Sequence, residues 1–304
     1  MTKPTNPENL QEKVTTNESD TPLGKVYLVG AGPGAADLIT VRGAKLLTKA
    51  DIVLHDALVD HELLLLCPQA ELVAVGKRCG KLSSAQQFIN KRLIDAAHKY
   101  QIIVRLKGGD PMLFGRADEE IVALKNAGIA VEVVPGITAA LAGAASIGQS
   151  LTLRGVSRSV AFITLAQATE NLPSDALQPI AQPNADTLVY YMGRKDAAKI
   201  AQQLVDTSTN HHKNTPVHIL EAVSTKRERL WSSTLEELAA GKADAWYDSN
   251  SPALIMVGEA LRDQHENKDL NNSENSEQDS ERSGTKINDG LQDSQVLPNG
   301  RRSA

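Results

Sequence analysis

Val26-Tyr27-Leu28-Val29-Gly30-Ala31-Gly32-Pro33-Gly34 runs from an apolar stretch directly into alternating glycines. A short apolar run closed by turn residues reads as a buried strand. The glycines beyond it read as a loop that a ligand or another backbone approaches closely, because glycine lacks a Cβ and tolerates positive φ. The same texture repeats outward from this stretch. A helix is expected around Val41 to Lys49, strands at Ile52 to Leu54, Leu72 to Val75, Ile102 to Leu106 and Val131 to Val134, and a long helix from about Ser84 to Lys99. Ser84 followed by Gln87 gives that helix a capping-box-like start. After Pro135-Gly136 come a small-residue helix, Thr138 to about Ile147, and a second α/β series. Its strands are expected at Val160 to Thr164, Leu188 to Tyr191, Val217 to Leu220 and Leu254 to Val257, between Pro-, Asn- and Asp-rich connections. The organisation read from this is a disordered tail over 1–23, α/β domains over 24–136 and 137–262, and a disordered polar tail over 263–304.

Composition narrows the function classes. Hydrophobic residues make up 41% of the 304 residues and aromatics 3%, so the cores must rest on Leu, Ile, Val and Ala, the usual composition of a helix-and-parallel-strand protein. The formal charge of −5 argues against a general nucleic-acid or anionic-membrane binder, which needs a basic surplus or patch. Cys67 and Cys79 are the two cysteines and have no metal-type pairing, which suggests reduced thiols in the cytoplasm. His55, Asp56 and His61 are close in sequence but match no standard metal spacing, and His211 and His212 read as solvated loop residues. No stretch is apolar for long enough to serve as a signal sequence or to span a bilayer.

Three motifs carry chemistry. Gly30 to Gly34, extended to Ala35, fits the dinucleotide fingerprint G-x-G-x-x-A, with Asp51 placed for a ribose. Arg105-Leu106-Lys107-Gly108-Gly109-Asp110-Pro111, followed by Phe114-Gly115-Arg116, begins in a strand, so its glycines and Asp110 belong to the loop beyond the carboxyl end, where open α/β sheets bind ligands. Asp110 could accept hydrogen bonds from a ligand; the alternative is a tight turn with Asp110 capping the next helix. Val134-Pro135-Gly136-Ile137-Thr138-Ala139-Ala140 turns a strand end into a helix of small residues, suited either to a flat ligand lying on backbone or to close helix packing. Met192, between Tyr191 and Gly193, reads by itself as core packing, Asp56 as a turn or cap residue and Lys77 as a solvated lysine.

In this order, and together with Val75-Gly76-Lys77-Arg78 and Tyr191-Met192-Gly193, the motifs resemble the tetrapyrrole methylase family over about Lys25 to Leu261, most nearly its branch acting on uroporphyrinogen III. The resemblance implies an α/β fold of two α/β domains with S-adenosylmethionine held in the cleft between them, in a homodimer without a metal. It implies cofactor contacts from Pro33, Gly108, Gly109, Asp110, Leu113, Thr138, Ala139 and Met192, and from Val223 through its backbone. Asp56 matches the family's proton acceptor and Lys77 its proton donor. The implied reaction methylates rings A and B of uroporphyrinogen III to give precorrin-2, which feeds sirohaem or cobalamin synthesis. A substrate with eight carboxylates calls for local cations, and Arg42, Arg78, Arg116 and Arg154, with Lys77, Arg105, Lys107 and Arg158, lie in or beside the motifs. Bidentate arginine contacts suit carboxylates best.

The chain departs from the family pattern at Leu153, Leu165 and Ala166, where polar or glycine residues are usual. It also carries His55 for a tyrosine, Ala222-Val223-Ser224 for an Asn-Gly-Thr type turn, and Arg227-Glu228 in a stretch that normally holds glutamine. These departures keep open a methylase of the same fold acting on another corrinoid precursor, and a drifted, non-catalytic tetrapyrrole- or cofactor-binding protein.

Overall fold

The computed structural model describes residues 22–57, 59–76, 82–164 and 183–263. The tails expected to be disordered lie almost wholly outside this set, as do Lys77, Arg78, Cys79, Leu165 and Ala166. One compact unit runs to Leu261; a second begins at Arg262.

Strands β1 (Lys25–Gly30), β2 (Ile52–His55), β3 (Glu71–Ala74), β4 (Ile102–Lys107) and β5 (Val131–Val134) form a sheet in the order β3-β2-β4-β1-β5. Every pairing is parallel. Helices α1 (Val41–Leu47) and α2 (His61–Leu64) cover one face, while α3 (Leu82–Ala97) and α4 (Ala117–Asn126) cover the other. Alternation along the strands feeds both layers: Val26, Leu28, Ile103 and Leu54 pack under α3 and α4, and Val29, Val53, Val104 and Leu106 under α1 and α2. This two-sided burial is why parallel strands are nearly continuous apolar runs. The helix expected from Ser84 starts earlier, at Leu82, so Ser84 lies in its first turn rather than at its cap.

Helix α5 (Ala139–Ser146) leads to a second sheet of β6 (Val160–Thr164), β7 (Thr187–Tyr191), β8 (Pro216–Glu221), β9 (Arg229–Thr234) and β10 (Ala253–Val257), ordered β6-β7-β10-β8-β9. Helices α6 (Ala197–Thr207) and α7 (Leu235–Ala239) pack on one face, and the small residues of α5 on the other. Only β6 and β7 pair in parallel, and β10 runs antiparallel to both β7 and β8. Strand β9 was not foreseen, since it is an edge strand in which no residue is fully buried and the sequence shows no apolar alternation. Because β7 and β8 both oppose β10, they share a direction, and the loops after them leave the sheet at one end.

Two further departures come from burial. His211 is 4% exposed and lies against Ser208 Oγ and the Asp186 carbonyl, so it is a core residue rather than a solvated one; His212 is exposed, as expected. Burial pushes the His211 imidazole below its ordinary value. Asp186, just before β7, accepts from Arg158 N, Ser159 N and Ser159 Oγ at 2.9, 3.0 and 2.7 Å. These contacts, the Ser159 hydroxyl first, hold its carboxyl below the usual range. A depressed carboxyl stabilises the fold above its unfolded-state value, and that contribution is lost as pH falls through its folded value. Asp186→Asn is therefore expected to lower the thermal midpoint at pH 7, with the gap to wild type closing on acidification below the carboxylate range. Melting curves from pH 7 to pH 3 check this.

Candidate active site

The motif segments converge at the carboxyl ends of the strands. Beyond β1, Ala31 N donates to Lys107 O at 2.7 Å, while Gly32 and Gly109 exchange backbone bonds, Gly109 N to Gly32 O at 2.7 Å and Gly32 N to Gly109 O at 3.2 Å. A Cβ on Gly30 would come within 2.5 Å of Gly136 Cα, and one on Gly136 within 2.3 Å of Gly109 O. One on Gly34 would sit 2.7 Å from Val223 O. Of the two reasons for glycine here, ligand or backbone, Gly30, Gly34 and Gly136 therefore serve backbone approach. Gly109 differs: its φ is +68° and a Cβ there would meet nothing within 4 Å, so it borders open space.

Asp110 ties two motifs together. Its Oδ1 accepts from Met112 N at 2.8 Å, closing its own turn, and its Oδ2 accepts from Gly136 N at 2.9 Å. The turn reading therefore holds for one oxygen, while the other pins the loop after β4 to the loop after β5. Each carboxylate oxygen keeps capacity to accept again.

Tyr191, at the end of β7, joins the sheets. Its hydroxyl lies 2.6 Å from Thr138 Oγ1 and accepts from Ala140 N at 3.1 Å, which holds the start of α5 beside Met192. Phe114 meets its ring edge-on at 5.2 Å between centroids. Burial pushes the Tyr191 hydroxyl above its ordinary value, against the lowering effect of those two contacts. Met192 is 56% exposed with φ of 56°, so the core-packing reading is wrong for it. Tyr191→Phe is expected to cost about 1–2 kcal/mol by leaving the Thr138 hydroxyl and an amide without this partner; denaturant unfolding measures it.

On the far side, Ser224 Oγ accepts from Ala35 N at 3.0 Å, locking the glycine loop to the turn after β8. Glu228 bridges Ser224 N and Ser146 Oγ. Val223 is 5% exposed, with its side chain in the cluster of Ala140, Leu220 and Leu254. The valine that replaces a smaller residue is thus accommodated in the core. Pro33 and Leu113 are half-buried in the same loops, Gly108 is exposed and Ala139 opens α5. Five non-glycine residues have positive φ among the described residues: Phe114, Arg116, Met192, Ala222 and Ser224. All lie in these loops, where strained backbone commonly marks function.

Asp56 follows β2. Its Oδ1 accepts from Arg105 Nη2 at 2.5 Å, and its backbone N donates to Leu106 O at 3.2 Å. Arg105 Nε and Lys107 Nζ both reach Glu120 Oε1, at 3.3 and 3.0 Å. The exposures of Arg105, Lys107 and Glu120 are 2%, 3% and 0%. Burial holds the Lys107 ammonium below its ordinary value, the Arg105 charge adds to this, and Glu120 and Asp56 oppose it. Arg105 and Lys107 are therefore not surface cations for substrate carboxylates. Arg116 is exposed and forms a bidentate pair with Glu119, and Arg154 and Arg158 are exposed in and beside the turn closed by Leu153 and Ser157. Arg42 sits on the outer face of α1 in a hollow with Lys45 and Lys49. The field of Arg42 acts on Glu132 of β5, the edge strand three places from β2, so the structure does not bring Arg42 to Asp56.

The family model for tetrapyrrole (corrin/porphyrin) methylases matches residues 25–239. The chain belongs to the tetrapyrrole methylases. Among relatives of this methylase, the siroheme synthase of Psychrobacter sp. (strain PRwf-1) is 40% identical over 244 residues, 79% of this chain and 48% of that one. The chain thus spans about half the length of such curated relatives. A uroporphyrin-III C-methyl transferase from Thermus thermophilus, solved with S-adenosylhomocysteine, aligns with a TM-score of 0.65 at 38% identity, covering 79% of this chain and 94% of that one. A cobalt precorrin-4 methyltransferase aligns with a TM-score of 0.64 at 26% identity, over 79% of this chain and 96% of that one. Among the described residues no helix is long and apolar enough to cross a membrane, and no group of three metal-ligating side chains occurs.

The site residue missed in the sequence is Glu120. Its signal was present: Ala117, Glu120 and Leu124 are the buried residues of α4, at one helical spacing, so a carboxylate stands on the apolar face.

Proposed function

We propose that this tetrapyrrole methylase transfers methyl groups from S-adenosylmethionine to carbon atoms of uroporphyrinogen III, on rings A and B in turn, giving precorrin-2 for sirohaem or cobalamin synthesis. The observation that carries this reading is the convergence of the motif loops after β1, β2, β4, β5, β7 and β8 at one end of the sheets, in a chain 38% identical to the Thermus thermophilus enzyme. The residues present fit the cofactor: Gly109 borders open space, Met192 is exposed at a strand end, and Thr138 and Ala139 open a small-residue helix.

When bound, S-adenosylmethionine supplies an already activated methyl group, so the protein needs alignment and a dry pocket rather than a metal or a covalent intermediate. Pro33, Gly108, Gly109, Asp110, Leu113, Thr138, Ala139, Met192 and the Val223 backbone hold it. Asp56 accepts the one proton that leaves the macrocycle for each methyl gained, and Lys77 serves the accompanying rearrangement of double bonds, giving a proton at one position as it recovers one from another, with no net change. Arg78, Arg116 and Arg154 seat substrate carboxylates. Each sheet with its helices acts as a domain, and the protein works as a cytoplasmic homodimer, which light scattering tests.

Incubation with uroporphyrinogen III and methyl-labelled S-adenosylmethionine is expected to give two labelled methyls per macrocycle. No label in the macrocycle, with a control enzyme active, overturns the reading. Label only in a cobalt-corrinoid substrate favours the other methylase reading raised by Leu153, Leu165 and Ala166.

A further inference from the structure

Arg105, Lys107 and Glu120 are charged, almost wholly removed from water, and unused by the reaction proposed above. Burying such charges is costly, and replacing a buried ionic cluster with apolar residues of similar volume is often neutral or stabilising. Stability alone therefore does not account for the cluster. Its geometry has one outlet. The Arg105 guanidinium is fixed by Nη1 on the Leu54 and Leu106 carbonyls, at 3.4 and 3.2 Å, and by Nε on Glu120. This leaves Nη2 aimed at Asp56, whose side chain is 33% exposed. Glu120 Oε1 also accepts from Lys107 and, at 3.2 Å, from Gln86 of α3. Glu120 Oε2 has no partner among the described residues. A single carboxylate thus serves two buried cations, one of which holds Asp56.

We propose that Arg105, Glu120 and Lys107 form a positioning network that fixes the Asp56 carboxylate and sets its basicity through the division of the Glu120 charge between the two cations. This rests on the reading of Asp56 as proton acceptor. Among the described residues Arg105 of β4 reaches Asp56 directly, Lys107 of β4 lies within range of its charge, and Glu120 of α4 pairs with both cations. His55, on its own strand, places Nδ1 3.2 Å from the Asp56 carbonyl. Removing the Glu120 charge leaves more positive charge on Asp56 and weakens it as a base. Removing Lys107 leaves Glu120 to Arg105 alone and strengthens it.

The test is the pH dependence of single-turnover methyl transfer to uroporphyrinogen III, with S-adenosylmethionine saturating. In Glu120→Gln the acid-limb midpoint is expected to fall by about half a unit to one unit, and in Lys107→Met to rise by a similar amount, the scale of a nearby charge. S-adenosylhomocysteine affinity is expected to stay within about twofold of wild type in both. If Glu120→Gln does not fold, Lys107→Met carries the test by the sign of its shift. A merely structural cluster changes the melting temperature and leaves both midpoints in place; unmoved midpoints, or shifts of one sign in both variants, overturn the proposal. Asp56→Asn, run alongside, separates the two readings. A wild-type rate in that variant overturns the role of Asp56 and the network with it, whereas a slow Asp56→Asn with unmoved midpoints overturns the network alone.

Discussion

Asp56→Asn is expected to slow methyl transfer to uroporphyrinogen III by about 10²- to 10⁴-fold, the usual contribution of a positioned base, while the protein folds and binds S-adenosylhomocysteine normally. The asparagine carbonyl can still accept from Arg105 Nη2, and Arg105 keeps Glu120 and its two backbone carbonyls. The loss should therefore fall on the proton transfer rather than on the scaffold. The ion pair with Arg105 has one half-buried partner that water reaches, so its contribution to stability is discounted for solvent. A fall in rate with an unchanged substrate Michaelis constant marks an interaction made in the transition state. A tenfold rise in that constant with the rate intact would instead make Asp56 a substrate-seating residue.

How far this was legible depends on what each segment buries. The first sheet could be read strand by strand because β1, β2 and β4 are covered on both faces and spell apolar runs, and the loops beyond them carry glycines that the packing requires. In the second sheet β9 was invisible, because an edge strand such as Arg229–Thr234, with no fully buried residue, has no continuous apolar face to announce it, and the antiparallel course of β10 is set by pairing, which no local pattern encodes. The motif residues were found, but their partners were not. Asp110 on Gly136, Tyr191 on Thr138 and Ala35 on Ser224 are contacts between residues 26, 53 and 189 positions apart. Cationic residues were read by type, and type cannot tell buried Arg105 from exposed Arg154; only the strand interior against the turn separates them.

The glycines give the second large effect, because two of them in one cluster should fail in opposite ways. Gly136→Ala puts a Cβ 2.3 Å from Gly109 O and 2.8 Å from Gly30 Cα, both backbone atoms that no rotamer change can move. The loops after β1, β4 and β5 must part, with the Asp110 bond to Gly136 N strained as they do. A stability loss of about 3 kcal/mol is expected, at the upper end for overpacking, and S-adenosylhomocysteine binding should weaken with it. Gly109→Ala meets no atom within 4 Å but keeps a φ of +68°, which costs an alanine about 1 kcal/mol. Its methyl enters the space the cofactor is proposed to occupy, so binding should fall by at least about tenfold, the order of one misfit contact in a tight pocket, in a protein that is nearly as stable as wild type. Denaturant unfolding and calorimetry on both variants distinguish these outcomes. If Gly109→Ala binds S-adenosylhomocysteine as wild type does, the open space beside Gly109 is solvent, and the cofactor contact proposed for the loop after β4 is wrong even though the backbone cluster behind it stands.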